Sequence, residues 1–156
     1  MAATNNVTRM LDARKIAYSA HAVPEEKLSA LEVAEILQVP AEQVFKTIVV
    51  ERDEKGKSIL AIVPATGEVN LKALAKAVGE KKVHVTTMQK AEALTGLRAG
   101  GISPLALINK GFQVVLDESA LTQSEIYISG GQWGLQIAIT AEHVIQLTNA
   151  HTAHIT

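Results

Sequence analysis

Two apolar segments joined by a short polar turn place the strongest constraint on how this chain can fold. The first segment runs from Val44 to Glu51, the second from Ser58 to Val63, and the turn between them contains Asp53-Glu54-Lys55-Gly56. Segments of this length that are rich in valine and isoleucine and bounded by turn residues are typical of β-strands. The two segments are therefore predicted to pair as an antiparallel hairpin.

Helix and strand patterns alternate along the rest of the chain. Ser29 and Glu32 have the spacing of a capping box, and Pro40 cannot continue the helix that they begin. By such signals and by apolar spacing, the predicted helices are 4–14, 29–37, 71–78 and 141–147, with another from Thr86 or Thr87 to Leu94 and a short turn beginning at Ser103-Pro104. The further predicted strands are 17–23, 83–85, 112–116, 125–129 and 135–139.

This mixture of a hairpin with interspersed helices is typical of the α+β class with a mixed, largely antiparallel sheet flanked by helices. The chain has 156 residues, of which 47% are hydrophobic. That is enough for one core and too little for two, so residues 1–156 are predicted to form a single domain. The segment 148–156 is predicted to be a frayed tail, since chain ends are often poorly ordered.

Composition and charge exclude several classes of function. The chain has no cysteine, so neither a disulfide frame nor a thiolate nucleophile or metal ligand is available. A formal net charge of −1 argues against a protein that grips nucleic acid by its overall basicity. No basic leader or long apolar stretch is present, so we expect a cytoplasmic protein with no membrane partner.

The ionisable residues do not form a recognisable metal or nucleophile motif. Ser103 lies outside any G-x-S-x-G pattern, and the aspartates show no paired-acid spacing. The histidines are too scattered to spell a metal motif: His21, His84, His143, His151 and His154. We therefore expect no metal site and no cofactor, and a nucleophile supplied by the protein is disfavoured.

Lys46 is the first candidate functional residue, because it interrupts an apolar strand. Lysine is almost never fully buried without a partner. It could simply point away from an exposed face or extend along the edge of the strand toward water. It could also lie in a pocket, where an ammonium group would hold a carbonyl oxygen or a phosphate and offset charge developing in a transition state.

Two glycine-rich turns could form the rest of such a pocket. Glycine lets backbone N–H groups approach a ligand closely, and a helix start adds free N–H groups. Each turn also has a plain structural explanation, as an ordinary helix entry or an ordinary hairpin turn. The candidates are Gly100, Gly101 and Ser103 in the first turn and Ser129, Gly130 and Gly131 in the second.

These segments together resemble the YbaK family of free-standing aminoacyl-tRNA deacylases, relatives of the editing domain of bacterial prolyl-tRNA synthetase. The resemblance rests on Phe45-Lys46-Thr47, Gly100-Gly101-Ile102-Ser103-Pro104 and the Ser129-Gly130-Gly131 stretch, and it extends from about Thr4 to Leu147. It implies a curved, barrel-like sheet. The family commonly has basic residues after the second glycine pair, whereas this chain has Gln132 and Trp133, and the tryptophan could stack on a base or cover the core.

The resemblance also implies roles for single residues. Lys46, Gly100, Gly101 and Ser103 would be catalytic, whereas Tyr18, Thr47, Ser129, Gly130 and Gly131 would bind the substrate. From the strand pattern alone, Thr47 points to the face opposite Lys46, and Tyr18 could equally be a half-buried core residue.

The activity implied by the resemblance is the removal of a wrong amino acid from tRNA(Pro). The branch most like this chain removes cysteine, whose own thiol would attack the ester. The partners would be the acceptor end of mischarged tRNA(Pro) and, transiently, prolyl-tRNA synthetase. Alternatives are an alanine-specific deacylase that uses water and a non-catalytic module that binds a small ligand or tRNA.

Overall fold

The computed structural model describes residues 3–53 and 56–156 of the chain. Its α-helices are α1 (Asn6–Ala13), α2 (Ala30–Leu37), α3 (Leu71–Ala77), α4 (Met88–Thr95) and α5 (Ala141–Thr148). Its strands are β1 (Ser19–Ala22), β2 (Phe45–Arg52), β3 (Ile59–Pro64), β4 (Val83–Val85), β5 (Gln113–Asp117), β6 (Ile126–Ser129), β7 (Leu135–Ile139) and β8 (His151–Ala153). The predicted α+β class is confirmed.

The helix-start signals of the sequence work as predicted. Ser29 and Glu32 form the capping box of α2, and Asn70 accepts the N–H of Ala73 to cap α3. Thr87 caps α4, which ends at Gly96 in the left-handed conformation. These local contacts satisfy N–H groups that a helix end leaves free. Within the described residues, no helix is both long and apolar enough to cross a membrane.

The strands form two sheets. The smaller one has the order β1-β7-β6, with both pairings antiparallel. The larger one has the order β4-β2-β3-β5-β8, where β2 pairs antiparallel with β3 and β4, and the last two pairings are parallel. The predicted hairpin is thus confirmed as β2 and β3, and residues 54 and 55 of its turn lie outside the described part of the chain.

Strand β3 is buried along its whole length because both faces of the larger sheet are covered. Leu60 and Ile62 point into the main core, which the smaller sheet, α1 and α5 also fill. Ile59, Ala61 and Val63 point the other way, toward α3. Alternate residues of a strand face opposite sides, so one strand serves two apolar layers. This central strand fixes the position of its neighbour β2, which carries Lys46.

The expectation of a barrel-like sheet needs correction. Within the described residues the smaller sheet ends at β1 and β6 and the larger one at β4 and β8, so neither sheet closes on itself. The sheets touch where Val44 forms a single parallel bridge with Tyr127. A barrel requires continuous pairing around a ring, and this isolated bridge leaves β2 with a free edge beyond it.

The expectation of a frayed tail from residue 148 is also wrong. Strand β8 pairs with Val115–Asp117 of β5, and Ile155 is fully buried. The buried carboxylate of Asp117 accepts the N–H of Ile155 at 2.9 Å, and the carbonyl of Ile155 accepts the N–H of Asn70 at 2.7 Å. Backbone hydrogen bonds and the burial of an isoleucine together order this segment, since burying such a side chain is worth about 1.5–3 kcal/mol.

Candidate functional site

A cavity of about 470 Å³ opens beside strand β2, close to the bridge between the two sheets. Its walls come from the start of α2, strand β2, the turn between β4 and α4, the loop around Gly100, and the facing strands β6 and β7. Most of the lining side chains are apolar, with a few polar groups among them. This size and composition are typical of small-ligand sites.

Lys46 lines this cavity and is not a buried core residue. Its side chain is 25% exposed, and its Nζ lies 3.2 Å from Oε1 of Glu68, whose side chain is 92% exposed. Glu68 also lines the cavity. An ion pair that is this open to water contributes at most about 1 kcal/mol and is easily exchanged. The ammonium group of Lys46 is therefore available to an anionic or carbonyl group of a ligand.

The free edge of β2 forms a second polar feature of the cavity. Strand β2 pairs with β3 along Phe45–Val50, but it pairs with β4 only from Val50. On the N-terminal side of Val50, one more hydrogen bond follows, from the N–H of Thr86 to the carbonyl of Val49. Because antiparallel strands direct alternate residues to opposite edges, the N–H and C=O of Thr47 point to the same free edge. Both Lys46 and Thr47 line the cavity, since it lies along this edge.

Gly100 contributes a third group, its peptide N–H. This glycine lines the cavity and has φ +88°, a conformation that side chains rarely adopt. Among the described residues, its N–H has no hydrogen-bond partner, whereas the N–H groups of Ala99 and Gly101 both have one. The Gly100 N–H is therefore a free donor of the first glycine turn.

Ser129 and Gln136 line the opposite wall, and the sequence analysis missed Gln136. The two residues are cross-strand partners on β6 and β7, so their side chains share one face. Gln136 is only 7% exposed, and it lines the cavity. Its neutral amide can both donate a hydrogen bond to a ligand and accept one from it. The signal in the sequence was a single glutamine within the otherwise apolar strand Leu135–Ile139.

Four residues of the predicted site lie behind the cavity wall. Gly101 is buried, and its N–H donates to the carbonyl of Arg98 at 2.8 Å. Ser103 is fully buried, and its Oγ accepts the N–H of Leu105, which caps a short 3-10 turn. The other two, Gly130 and Gly131, pack against side chains of the core. None of the four lines the cavity, so their predicted contacts with substrate remain predictions.

Tyr18 lies on α1's side of the smaller sheet and does not line the cavity. Its hydroxyl donates to Oδ1 of Asp12 at 2.8 Å, and its ring packs against the main core. Burial, the hydrogen bond to Asp12 and the negative charge of Asp12 all raise the pKa of the Tyr18 phenol. These contacts correspond to the alternative interpretation of Tyr18 as a half-buried core residue.

The hydroxyl groups of the cavity are not arranged as nucleophiles. Ser29 caps α2, Thr86 donates to the carbonyl of Val49, and Oγ of Ser129 accepts the N–H of Gly131. Among the described residues that line it there is no histidine, and the carboxylate is that of exposed Glu68. Activation of a serine or threonine needs a base within hydrogen-bond reach. The cavity is thus built to bind and polarise a substrate rather than to attack it.

The described residues contain no cluster of three or more histidine, aspartate or glutamate side chains placed to hold a metal ion. The polar groups that line the cavity are the Lys46 ammonium with its exposed partner Glu68, peptide N–H and C=O groups, hydroxyls and a neutral amide. Such groups suit a ligand that carries carbonyl and phosphate oxygens.

Comparison with known proteins adds to this geometry. Residues 24–147 match the family described as "Aminoacyl-tRNA editing domain". EbsC of Enterococcus faecalis, named as a Cys-tRNA(Pro)/Cys-tRNA(Cys) deacylase, is 39% identical over 153 residues, which cover 97% of this chain and 92% of that protein.

Two solved structures share the fold. One is of a hypothetical protein, with a TM-score of 0.88, 22% identity and coverage of 97% of this chain and 99% of that one. The other is named as a trans-editing enzyme for prolyl-tRNA synthetase, with a TM-score of 0.82, 22% identity and coverage of 99% of both chains. At this identity the two matches establish the fold alone.

Proposed function

The chain belongs to the aminoacyl-tRNA editing domain family, and we propose that its cavity hydrolyses the ester that joins cysteine to mischarged tRNA(Pro). One observation supports this most directly: Lys46, the Gly100 N–H and the amide of Gln136 meet in a cavity whose own hydroxyls lack a base. The name of the relative EbsC, a Cys-tRNA(Pro)/Cys-tRNA(Cys) deacylase, supports the choice of substrate.

A separate hydrolytic site of this kind has a physical reason. A synthetase pocket that accepts proline cannot strongly reject amino acids of similar size, because one small group is worth only about 1–3 kcal/mol of binding. Cysteine and alanine are therefore attached to tRNA(Pro) at times. A second site that tests the product after the first reaction removes these errors.

In the proposed reaction the substrate supplies the nucleophile. The cysteine thiol loses its proton, and the sulfur attacks the carbonyl carbon of its own ester. A cyclic thioester forms as the ester bond breaks, and the ribose oxygen of the tRNA leaves with a proton. Water then opens the thioester and releases free cysteine. Holding the thiol and the carbonyl in a reactive geometry can supply much of the rate enhancement.

The residues of the cavity would act on the charge that develops in this reaction. As the sulfur attacks, the carbonyl oxygen becomes an oxyanion, which the Gly100 N–H and the Lys46 ammonium would stabilise. The free edge of β2 at Thr47 and the amide of Gln136 would orient the amino acid, because they offer both donors and acceptors. Ser129 would border the same pocket.

Recognition of the tRNA itself would need help from a partner. A formal net charge of −1 supplies little nonspecific attraction for a polyanion. We propose that prolyl-tRNA synthetase holds the tRNA while its acceptor end enters the cavity, and that this takes place in the cytoplasm, where tRNA is charged.

The deciding experiment compares deacylation of tRNA(Pro) charged with cysteine, serine, alanine and proline under single-turnover conditions. Serine is the matched control, because it differs from cysteine only in having oxygen in place of sulfur. A thiol is a few per cent ionised at neutral pH and is intrinsically far more nucleophilic than a hydroxyl. We expect cysteine to be removed at least about 1000-fold faster than serine, beyond the roughly 10–200-fold that one small group contributes through binding.

Other outcomes would favour the alternatives. Similar rates for cysteine and serine, or faster removal of alanine, would rule out attack by the substrate thiol and make water the nucleophile. No turnover of any mischarged tRNA, with a ligand still raising the thermal midpoint, would identify a binding module.

A further inference from the structure

Trp133 is tied to the peptide that carries the free Gly100 N–H. The indole Nε1 of Trp133 donates to the carbonyl oxygen of Ala99 at 2.9 Å. Ala99 and Gly100 both line the cavity, but Trp133 does not, so the indole approaches their shared peptide from outside the lining. The two residues are close: a Cβ placed on Gly100 would lie 3.4 Å from Nε1.

The geometry of a peptide unit converts this hydrogen bond into a directional effect. The carbonyl of Ala99 and the N–H of Gly100 belong to one planar group, and in a trans peptide they point in opposite directions. When the indole holds the carbonyl oxygen on the outer side, the N–H is turned toward the cavity. A carbonyl that accepts a hydrogen bond also makes the N–H of its peptide a somewhat stronger donor.

Backbone contacts hold this peptide in place, and Arg98 covers one face of the indole. The N–H of Ala99 donates to Oε2 of Glu92 at 2.8 Å, so this residue is held at both its polar groups. The guanidinium carbon of Arg98 lies 3.7 Å from the centre of the indole ring. The backbone of Gln132, next to Trp133, lies 3.2 Å from the position that a Cβ of Gly101 would take. The two glycine turns therefore brace each other at this point.

We propose that Trp133 is a positioning residue that aims the Gly100 N–H at the carbonyl oxygen of the substrate. This inference rests on the proposed deacylase function. It assigns the indole a different task from base stacking, because Arg98 already covers one face of the ring and Ala99 takes its N–H.

The test removes the indole N–H and little else. Trp133 is the sole tryptophan of the chain. Growth on benzothienylalanine, in which sulfur replaces the N–H of the indole, therefore changes this one site with its shape retained. We expect kcat for deacylation to fall roughly 10-fold or more, since loss of one oxyanion donor lowers kcat by about 10²–10³ and a misaimed donor keeps part of its effect. KM should stay within about twofold, because the contact strengthens only in the transition state.

Two variants complete the test, one that repeats the loss of the donor and one that serves as the control. Trp133→Phe should lower kcat at least as much, because it also lacks the donor. Arg98→Met removes the cation above the ring but leaves the bond from Nε1 to Ala99, so its kcat should stay within about threefold of the unaltered protein. An unchanged kcat in the benzothienylalanine protein, or an equal loss in Arg98→Met, would overturn the proposal.

A second measurement does not depend on activity. In 15N–1H spectra without substrate, the Gly100 amide resonance should shift in Trp133→Phe, while amides of α3 keep their positions. An unshifted Gly100 resonance would overturn the link between the two residues. If instead the unaltered protein deacylates no tRNA while the Gly100 resonance still shifts, the proposed function fails and the structural link stands.

Discussion

The two glycine-rich turns look alike in sequence, but they perform different tasks in the structure. The first turn places Gly100 on the cavity wall with φ +88° and leaves its N–H free of partners within the described residues. Its close neighbours are Lys27 and Trp133, neither of which lines the cavity. Here the glycine allows a backbone group to meet a ligand.

The second turn uses its glycines for packing. A Cβ on Gly130 would lie only 2.5 Å from Cγ of Leu135, which is fully buried. One on Gly131 would lie 3.1 Å from the Cβ of Ala106. Asn5, which caps α1, donates from its amide to the carbonyl of Gly130 at 2.9 Å and so holds this turn from behind. Only Ser129 of this turn reaches the cavity.

Glycine in a sequence therefore signals that something approaches the backbone closely, without saying what approaches. In the first turn we propose a substrate, and in the second it is the protein's own leucine. Substitutions that add a methyl group should separate the two cases, because a ligand contact affects activity and a core contact affects stability.

The largest effect is expected at Lys46, which shares the cavity with the first turn. Lys46→Met keeps most of the side-chain stem and removes the charge, so deacylation should fall about 10²–10³-fold, as for other groups that stabilise a developing oxyanion. The thermal midpoint should barely change, since the exposed pair with Glu68 is worth at most about 1 kcal/mol. Single-turnover rates and calorimetry provide the two measurements.

Lys110→Ala is the matched control, because Lys110 is exposed and does not line the cavity. It should retain full activity. If Lys46→Met unfolds the protein, the lysine is structural; if the rate is unchanged, the lysine takes no part in the reaction. Either result would contradict the assignment of this cavity as the active site.

Gly130→Ala should mainly reduce stability. A methyl group forced against buried Leu135 typically costs about 1–3 kcal/mol through displaced side chains. The free energy of unfolding, measured with urea, should fall by about that amount, while the rate per folded molecule stays within a few-fold. A large drop in rate with normal stability would mean that this turn also contacts the substrate.

Gly100→Ala should affect both properties. A left-handed conformation costs an alanine about 1–2 kcal/mol, and the methyl group would press on Lys27 and Trp133. We expect a stability loss of about 1–2 kcal/mol together with a fall in kcat of roughly 10-fold, because a donor displaced by a fraction of an ångström stabilises the oxyanion less well.

Gly79→Ala isolates the backbone effect for this comparison. Gly79 has φ +73°, and nothing lies within 4 Å of the position that its Cβ would take. It should show a similar loss of stability with an unchanged rate. If Gly100→Ala behaves in the same way as Gly79→Ala, then Gly100 provides no catalytic donor.

Local signals explain why most of the fold could be predicted from the sequence. The capping box at Ser29 and Glu32 and the apolar hairpin depend on residues close together in the chain. The final strand was missed because its order comes from Asp117, a buried carboxylate that binds Ile155 from 38 residues away. No pattern within residues 148–156 indicates a hydrogen-bond partner as distant in the chain as Asp117.

The sequence indicates residues of the cavity wall only where a residue is unusual in its own segment. Lys46 is a charge within an apolar strand, and Gly100 is part of a double glycine. Gln136 is equally unusual in its strand, but an uncharged glutamine is a weaker signal than a lysine. The task proposed for Trp133 depends on a hydrogen bond to Ala99 across 34 residues, which only the folded chain reveals.

The smallest effect is expected for Tyr18, which belongs to the support of the second turn. Its hydroxyl binds Asp12 of α1, the helix whose cap Asn5 holds Gly130. Tyr18→Phe should lower the free energy of unfolding near pH 8 by less than about 1 kcal/mol, the usual value of one hydrogen bond.

Burial and Asp12 raise the pKa of the folded phenol above its ordinary value of 10.0. The stability that the neutral phenol contributes is therefore complete below about pH 10 and lost as the pH rises through the folded pKa. The difference in thermal midpoint between the two proteins should thus shrink from pH 8 to pH 11, with deacylation at pH 8 unchanged. A tenfold loss of kcat in a stably folded Tyr18→Phe protein would instead place this tyrosine at the substrate and make the second turn part of the active site.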